Sequence, residues 1–261
     1  MNRHTRLTAL LDLILEREEV RVEDIVETLA ISPATARRDL DTLAQQQLIT
    51  RTRGGARLHP GSSYLPLRYK TGRDPEEKSR IARAAVQLVQ PGEVVGLNGG
   101  TTTTEVGREL ALLPESSDPA GEPRLTVVTN AVNIANELTT RPRIKVVVTG
   151  GVARPHSYEL TGPLATLLLK EITIDVLFLG VNAFDAEHGA AAHNEGEAAI
   201  NATFVKAAKR VVVVADATKI GHTAFARICE TAEVDTLVTD ARIAPEQVAR
   251  LEAAGVQVIV V

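Results

Sequence analysis

The chain has 261 residues, 44% of them apolar, and a net charge of −4, which is room for one small and one medium domain and excludes a generic polyanion binder. Its one cysteine, Cys229, excludes an intramolecular disulfide and a cysteine zinc cluster, and reads as a buried small apolar residue in a reducing, cytoplasmic setting. Aromatics at 3% and the lack of Trp argue against a single-strand stacking platform; no apolar run reaches spanning length, and Asp12 and Glu16 break the N-terminal one, so neither a membrane span nor a signal segment is expected.

Leu7, Leu10, Leu11, Ile14 and Leu15 recur at helical spacing and predict a first helix over 3–17. A second, over 22–30, puts Val22, Ile25, Val26 and Leu29 on one face. After the short turn at Ile31-Ser32-Pro33 comes a third helix with Leu40 and Leu43 inward. Its start carries the strongest signal in the chain. Ser32 suits an N-cap, because its hydroxyl can accept a free backbone N–H, and Pro33 suits the first helical position, where a missing donor costs nothing. Thr35, Arg37 and Arg38 follow within two turns, where a helix tip in the major groove reaches bases and phosphates. Residues 48–58 then read as two short arms around Gly54-Gly55, a hairpin wing bearing Arg51, Arg53 and Arg57 and no acid. A local basic patch on an acidic protein fits site-directed binding of duplex DNA, although the two helix arginines could instead be surface ion-pair partners of a protein-binding module.

Residues 59–74 hold two Pro, two Gly and two Ser without periodicity and read as a linker. Order restarts at Asp74-Pro75-Glu76-Glu77, with Asp74 as N-cap and Glu77 as its capping-box partner. Over 75–261, β-branched runs at 94–97, 125–128, 144–148, 176–179, 211–214, 236–238 and 256–261 alternate with helical segments. That pattern predicts an α/β domain with a mainly parallel sheet covered on both faces. Polar or glycine residues follow nearly every strand, among them Asn98-Gly99-Gly100-Thr101-Thr102, Thr129-Asn130, Gly180-Val181-Asn182 and Asp216-Ala217-Thr218-Lys219. In an open parallel sheet these carboxyl ends line one rim, where ligands bind.

The loop from Asn98 to Thr104 is the best ligand candidate: two glycines admit close backbone approach, and helix N–H groups with Thr hydroxyls suit a phosphate. It lacks the Lys of a nucleotide-hydrolysing loop, and a plain glycine-rich turn is the alternative. Lys219 and Asp216 read either as a cation and an acceptor for a phosphorylated polyol or as a solvated pair. His193, Glu195 and Glu197 lack the spacing of a helical zinc site, so no metal is expected, and no cofactor or hydrolase motif is present either.

These residues together resemble the DeoR family of bacterial transcriptional regulators. The resemblance rests on Arg6, Leu10 and Ile14, on Ser32, Thr35, Arg37, Arg38, Asp39 and Leu40, and on the wing Arg51-Thr52-Arg53-Gly54-Gly55-Ala56. It continues through Glu77-Lys78, Gly100-Thr101-Thr102, Asn130, Gly150-Gly151, Gly162, Asp175, Gly180, Glu197 and Asp216-Ala217-Thr218-Lys219. It implies a winged helix-turn-helix over 3–58 and, over 75–261, a sensor similar to ribose-5-phosphate isomerase that binds a phosphorylated sugar or sugar alcohol without converting it. Two positions depart: Asn98 stands where the family commonly has Asp, and Asn201 where it commonly has Lys.

The expectation is therefore a sequence-specific repressor, acting as a homodimer or homotetramer. Ser32, Thr35, Arg37, Arg38, Arg51 and Arg53 would face DNA. The phosphate would lie on Gly99, Gly100, Thr101 and Thr102 beside Asn98 and Gly180, with hydroxyls near Asn130, Glu197, Asp216 and Lys219. The rivals are an isomerase with a DNA-binding appendage, against which Asn98 counts because an amide exchanges no proton as a carboxylate does, and a DNA-binding protein without a ligand.

Overall fold

A computed structural model describes residues 3–17, 19–46, 48–58, 74–113 and 125–261. They form two compact units, the second beginning at Asp74. The expected linker thus lies outside the described residues, apart from Asp74.

The first unit runs α1 (Arg3–Arg17), β1 (Glu19–Arg21), α2 (Val22–Leu29), α3 (Pro33–Gln45), β2 (Ile49–Thr52) and β3 (Gly55–Leu58). Leu10, Leu11 and Ile14 of α1 pack with Ile25 of α2 and Ala36, Leu40 and Leu43 of α3 into one buried cluster. α2 ends on Ala30 in the left-handed conformation (φ 51°), where the Ala30 N–H donates to Val26 O and turns the chain toward α3. Ser32 caps α3 as expected. The hairpin turns one residue earlier than the sequence suggests, through Arg53-Gly54, and Gly55 belongs to β3. The reason is β1, a strand without a sequence signal that pairs antiparallel with β3. A Cβ at Gly55 would lie 2.0 Å from the Val20 carbonyl oxygen, so only glycine admits that pairing.

The second unit opens with α4 (Pro75–Val86) and continues β4 (Val94–Leu97), α5 (Thr101–Ala111), β5 (Leu125–Thr129), α6 (Val132–Leu138) and β6 (Ile144–Val148). A short hairpin, β7 (Val152–Ala153) and β8 (Leu160–Thr161), precedes α7 (Pro163–Leu167). Then come β9 (Val176–Leu179), β10 (Ala183–Asp185), β11 (Gly189–Ala192), α8 (Glu195–Ala207), β12 (Val211–Val214) and β13 (Ala226–Cys229). The unit closes with β14 (Thr236–Thr239), α9 (Pro245–Ala253) and β15 (Gln257–Val260).

Seven strands form one parallel sheet in the order β15-β14-β12-β9-β4-β5-β6. Both faces are covered, and strand alternation proves it. Val211 and Val213 of β12 enter one core with Phe204 of α8 and Leu251 of α9, while Val212 and Val214 enter the other with Ile81 of α4 and Val106 of α5. β10, β11 and β13 form a separate antiparallel sheet that the sequence did not signal. Cys229 lies buried in it, and burial pushes its thiol up to about 11, as suits an inert packing residue.

Asp74 corrects one expectation. It precedes α4 in a left-handed conformation (φ 46°) with no side-chain cap, and its carboxylate instead meets Arg242 at 2.8 Å. Asp175 ties two central strands together: its carboxylate accepts the Val94 N–H at 2.9 Å and faces Lys209 Nζ at 2.7 Å. The Lys209 bond, then the Val94 bond, hold Asp175 below the usual carboxylate range. A lowered folded-state value stabilises the protein above the unfolded value of about 3.9 and ceases to do so as pH falls through it. Asp175→Asn should therefore flatten the acid side of a urea-midpoint versus pH curve, and an unchanged slope would refute the linkage.

Candidate functional site

In the first unit the tip of α3 is built by its own cap. Ser32 Oγ accepts the Thr35 N–H at 3.2 Å and lies 2.9 Å from Thr35 Oγ1, which fixes the first turn. Ala36 and Leu40 point into the core, so Arg37 and Arg38 fall on the exposed side. Among the described residues neither guanidinium has an ion-pair or hydrogen-bond partner. In the wing, Arg53 and Arg57 are likewise exposed and unpaired among the described residues, whereas Arg51 faces Asp41 of α3 at 3.6 Å.

One functional contact is non-local. Arg6 of α1 grips Asp39 of α3 with two hydrogen bonds, Nε to Oδ2 at 2.5 Å and a terminal nitrogen to Oδ1 at 3.2 Å. Asp39 is 1% exposed. The pair orients the arginine-bearing helix on α1.

In the second unit the strand ends form a rim. Asn98 follows β4, is 0% exposed, and clasps the end of the adjacent β9. Its Oδ1 accepts the Gly180 N–H at 2.7 Å and its Nδ2 donates to the Gly180 carbonyl at 2.9 Å. This brings Asn98, Gly99, Gly100 and Gly180 together at the N-terminus of α5. The side chains of Thr103 and Thr104 turn back onto the Gly100 carbonyl, at 3.2 and 2.6 Å. The first N–H groups of α5, at Thr101 to Thr103, have no intrahelical acceptor by helix geometry and carry the positive end of its dipole. A helix end of this kind favours negative charge.

Asn130 follows β5, the other neighbour of β4, and is fully buried beside Glu159, which carried no signal in the sequence. Glu197, one turn into α8, pairs with Arg154 at 3.1 Å, and Arg154 belongs to the β7–β8 connection that also supplies Glu159. Asp216 follows β12, is buried, and spends a carboxylate oxygen on the backbone and hydroxyl of Thr218. Among the described residues it makes no ion pair with Lys219, whose ammonium, half-buried, has no partner there. Asn201 is buried with its Oδ1 unpartnered.

His193, Glu195 and Glu197 do not converge as ligands among the described residues. The group that does is Asp185, Glu187 and His188, and Arg250 lies 3.8 and 4.0 Å from the two carboxylates, supplying the positive charge itself.

The clasp explains why position 98 is an amide. A carboxylate there would still accept from Gly180 N–H but would face the Gly180 carbonyl with no proton to give. Asn98→Asp should cost about 1–3 kcal/mol, the range for a buried polar group left unsatisfied. Burial and the carbonyl would raise the new carboxyl's pKa, so the loss should grow as pH rises through that value. Equal thermal midpoints for wild type and variant across neutral pH would sink this account.

A capped arginine-bearing helix with a hairpin wing, on one chain with a parallel sheet whose rim carries a glycine loop at a helix N-terminus, defines a DNA-binding regulator with a sensor domain. The chain belongs to the DeoR family: a DeoR-like helix-turn-helix domain matches residues 6–60, and the DeoR C terminal sensor domain matches residues 73–241. It is 34% identical over 257 residues to the HTH-type transcriptional regulator GlpR of Haloferax volcanii, covering 97% of this chain and 96% of that one. It is 29% identical over 241 residues to the glycerol-3-phosphate regulon repressor of Escherichia coli K12, covering 92% of each. Among solved structures, ribose 5-phosphate isomerase A of Methanocaldococcus jannaschii superposes on 56% of this chain and 55% of its own, with 20% identity and a TM-score of 0.41. This protein is a transcriptional regulator, and no helix among its described residues is long and apolar enough to cross a membrane.

Proposed function

We propose that this regulator represses a carbohydrate-catabolic operon and releases its operator when a phosphorylated sugar or polyol fills the sensor rim. The observation that carries the reading is the pair of unpartnered arginines on a rigidly capped helix tip, in a chain that also holds the glycine cradle at the N-terminus of α5. Residues 3–58 form the DNA-binding head, 59–74 the linker and 75–261 the sensor and oligomerisation domain.

In the head, Arg37 and Thr35 read base edges. Ser32 holds the tip in shape, and Arg38, Arg53 and Arg57 hold phosphates; Arg51 contributes from its position beside Asp41. One head makes few contacts, so a homodimer or homotetramer reads repeated half-sites. In the sensor, the phosphate lies on Gly99 to Thr102, in a cradle shaped by Asn98 and Gly180. The polyol runs toward Asn130 and Glu197, with Asp216 and Lys219 on the β12 side. On this reading the effector is held and not converted, and Asn98 supports it, because an amide exchanges no proton as a carboxylate does. The linker transmits a change in subunit geometry to the heads.

Release needs only differential affinity: a coupling of about 1–3 kcal/mol changes operator affinity roughly 5- to 150-fold. The test is operator release across a panel of phosphorylated sugars and polyols, run beside an isomerisation assay on the same compounds. Release by one member without turnover is the expected result. Retention of the duplex under every compound, or turnover of any, overturns the proposal.

A further inference from the structure

Asp74 is where the chain coming from the head enters the second unit, and two arrangements compete for its carboxylate. The sequence Asp74-Pro75-Glu76-Glu77 suits a capped helix, in which an extended Asp74 accepts a free N–H from the first turn of α4. The structure holds the other arrangement. Asp74 stands at φ 46° and ψ 51°, makes no cap, and its Oδ1 accepts from Arg242 Nη1 at 2.8 Å. The Arg242 bond offsets both the left-handed backbone and the forgone cap. That bond is also weakly held, because its side chains are 45% and 32% exposed to screening solvent. Turning φ back to the extended region would re-aim the chain that precedes Asp74.

On its other side Arg242 is bound to Asp240, which follows β14 and is 0% exposed. Nε donates to Oδ1 at 2.7 Å, Nη2 to Oδ2 at 3.2 Å, and the Arg242 backbone N–H to Oδ1 at 3.1 Å. Burial works to raise the Asp240 pKa, but the Arg242 side chain and the backbone N–H groups of Ala217 and Arg242 outweigh it and hold the carboxyl below its usual range. Oδ2 accepts the Ala217 N–H at 2.8 Å as well. Ala217 lies in the turn from Asp216 to Lys219 at the end of β12, the strand next to β14. One buried carboxylate therefore joins the sensor rim to the entry point of the chain.

The sharing of Oδ2 gives the connection a direction. A buried acceptor that loses one donor turns to the nearest other, and for Oδ2 that is the loosely held Nη2 of Arg242. If the turn at Ala217 moves away, the guanidinium closes on Asp240 and leaves Asp74.

We propose that Arg242 couples the sensor rim to the linker: an effector that draws on the Asp216–Lys219 turn frees Asp240 Oδ2, Arg242 closes on Asp240, and Asp74 exchanges its arginine for the cap of α4. This rests on the effector reading given under Proposed function. Arg242 and Asp74 are positioning residues, outside both the cradle and the DNA-reading tip.

The experiment uses the full chain, the duplex selected by the wild type, and five esters: glycerol 3-phosphate, ribose 5-phosphate, ribitol 5-phosphate, glucose 6-phosphate and glucitol 6-phosphate. The ester that releases the duplex best is carried forward. Its coupling factor, the ratio of duplex Kd with and without saturating ester, should be roughly 5- to 150-fold in wild type. Asp74→Ala, which keeps the buried pair and can neither meet Arg242 nor cap, should bring that factor close to one. Arg242→Lys should do the same, since an ammonium keeps the charge beside Asp240 but cannot span both carboxylates as the planar fork does. Ester affinity by calorimetry and duplex affinity without ester should stay at wild-type values in both.

Hydrogen exchange at residue resolution reads the switch itself. Saturating ester should raise protection of the Glu76 and Glu77 amides, the ones a cap at Asp74 reaches, in wild type but not in Asp74→Ala. Wild-type coupling in both variants, or protection at Glu76 and Glu77 that fails to rise in wild type, overturns the proposal. A variant that loses ester or duplex binding outright places its residue in binding and overturns it too. If no ester binds the wild type at all, the effector reading falls first, and this inference falls with it.

Discussion

Arg37→Ala should abolish the preference of this regulator for its operator while leaving the fold intact. The substitution removes an exposed side chain with no intramolecular partner among the described residues, so stability should move by no more than about 0.5 kcal/mol. A bidentate arginine–guanine contact is worth roughly 1–3 kcal/mol of discrimination, about 5- to 150-fold in the ratio of operator to mismatched duplex. Arg38→Ala should behave differently. As a phosphate contact it should weaken all duplexes by a similar factor and lower the slope of log affinity against log salt by about one. Fluorescence anisotropy at several salt concentrations, with a duplex selected from a random pool by the wild type, separates the two. If both variants retain selective capture, α3 is not the reading helix, and the wing arginines Arg53 and Arg57 inherit the question.

The parts of the structure legible in the sequence are those fixed by short-range physics. The Ser32-Pro33 cap, the apolar stripes of α1 and α3 and the β-branched strands of the parallel sheet each carry their signal within a few residues. What escaped was imposed from a distance. Gly189-Ala190-Ala191-Ala192 has no strand signal and becomes β11 because β10 and β13 pair with it on both sides. Asp74 reads locally as a cap and is diverted by Arg242, 168 residues away. The same distance effect shapes the rim. The glycine loop was visible as a motif, yet the partner of Asn98 is Gly180, 82 residues on, and Glu159 reaches Asn130 across 29. A lone Glu in a connection carries no mark that it will be buried against a cradle. The grip of Arg6 on Asp39 is a further case: both belonged to a quoted motif, but only the packing of α1 on α3 shows that one exists to neutralise the other.

That grip yields the largest stability effect expected anywhere in the head. Arg6→Ala would leave Asp39, 1% exposed, as a buried carboxylate without its counter-charge. Breaking a buried ion pair from one side costs about 3–5 kcal/mol. Because the Arg6 side chain keeps 19% exposure, the lower end of that range applies. A unit this small has only about 3–5 kcal/mol to lose, so the head should be largely unfolded in the variant while the second unit, with its own two cores, persists. Amide hydrogen exchange on the full chain reads this directly: protection should collapse over α1, α2 and α3 and stay unchanged over β4, β9 and β12. Adding Asp39→Ala to Arg6→Ala should recover part of the loss, because no unpaired charge remains. Arg6→Ala should also lose DNA binding without touching DNA, so the two arginine predictions check each other. Arg37→Ala should lose operator selectivity with full protection, and Arg6→Ala should lose both together. A stable, protected head in Arg6→Ala would mean that Asp39 finds solvent or another donor by a shift of α3, and the orienting role of the pair would be wrong.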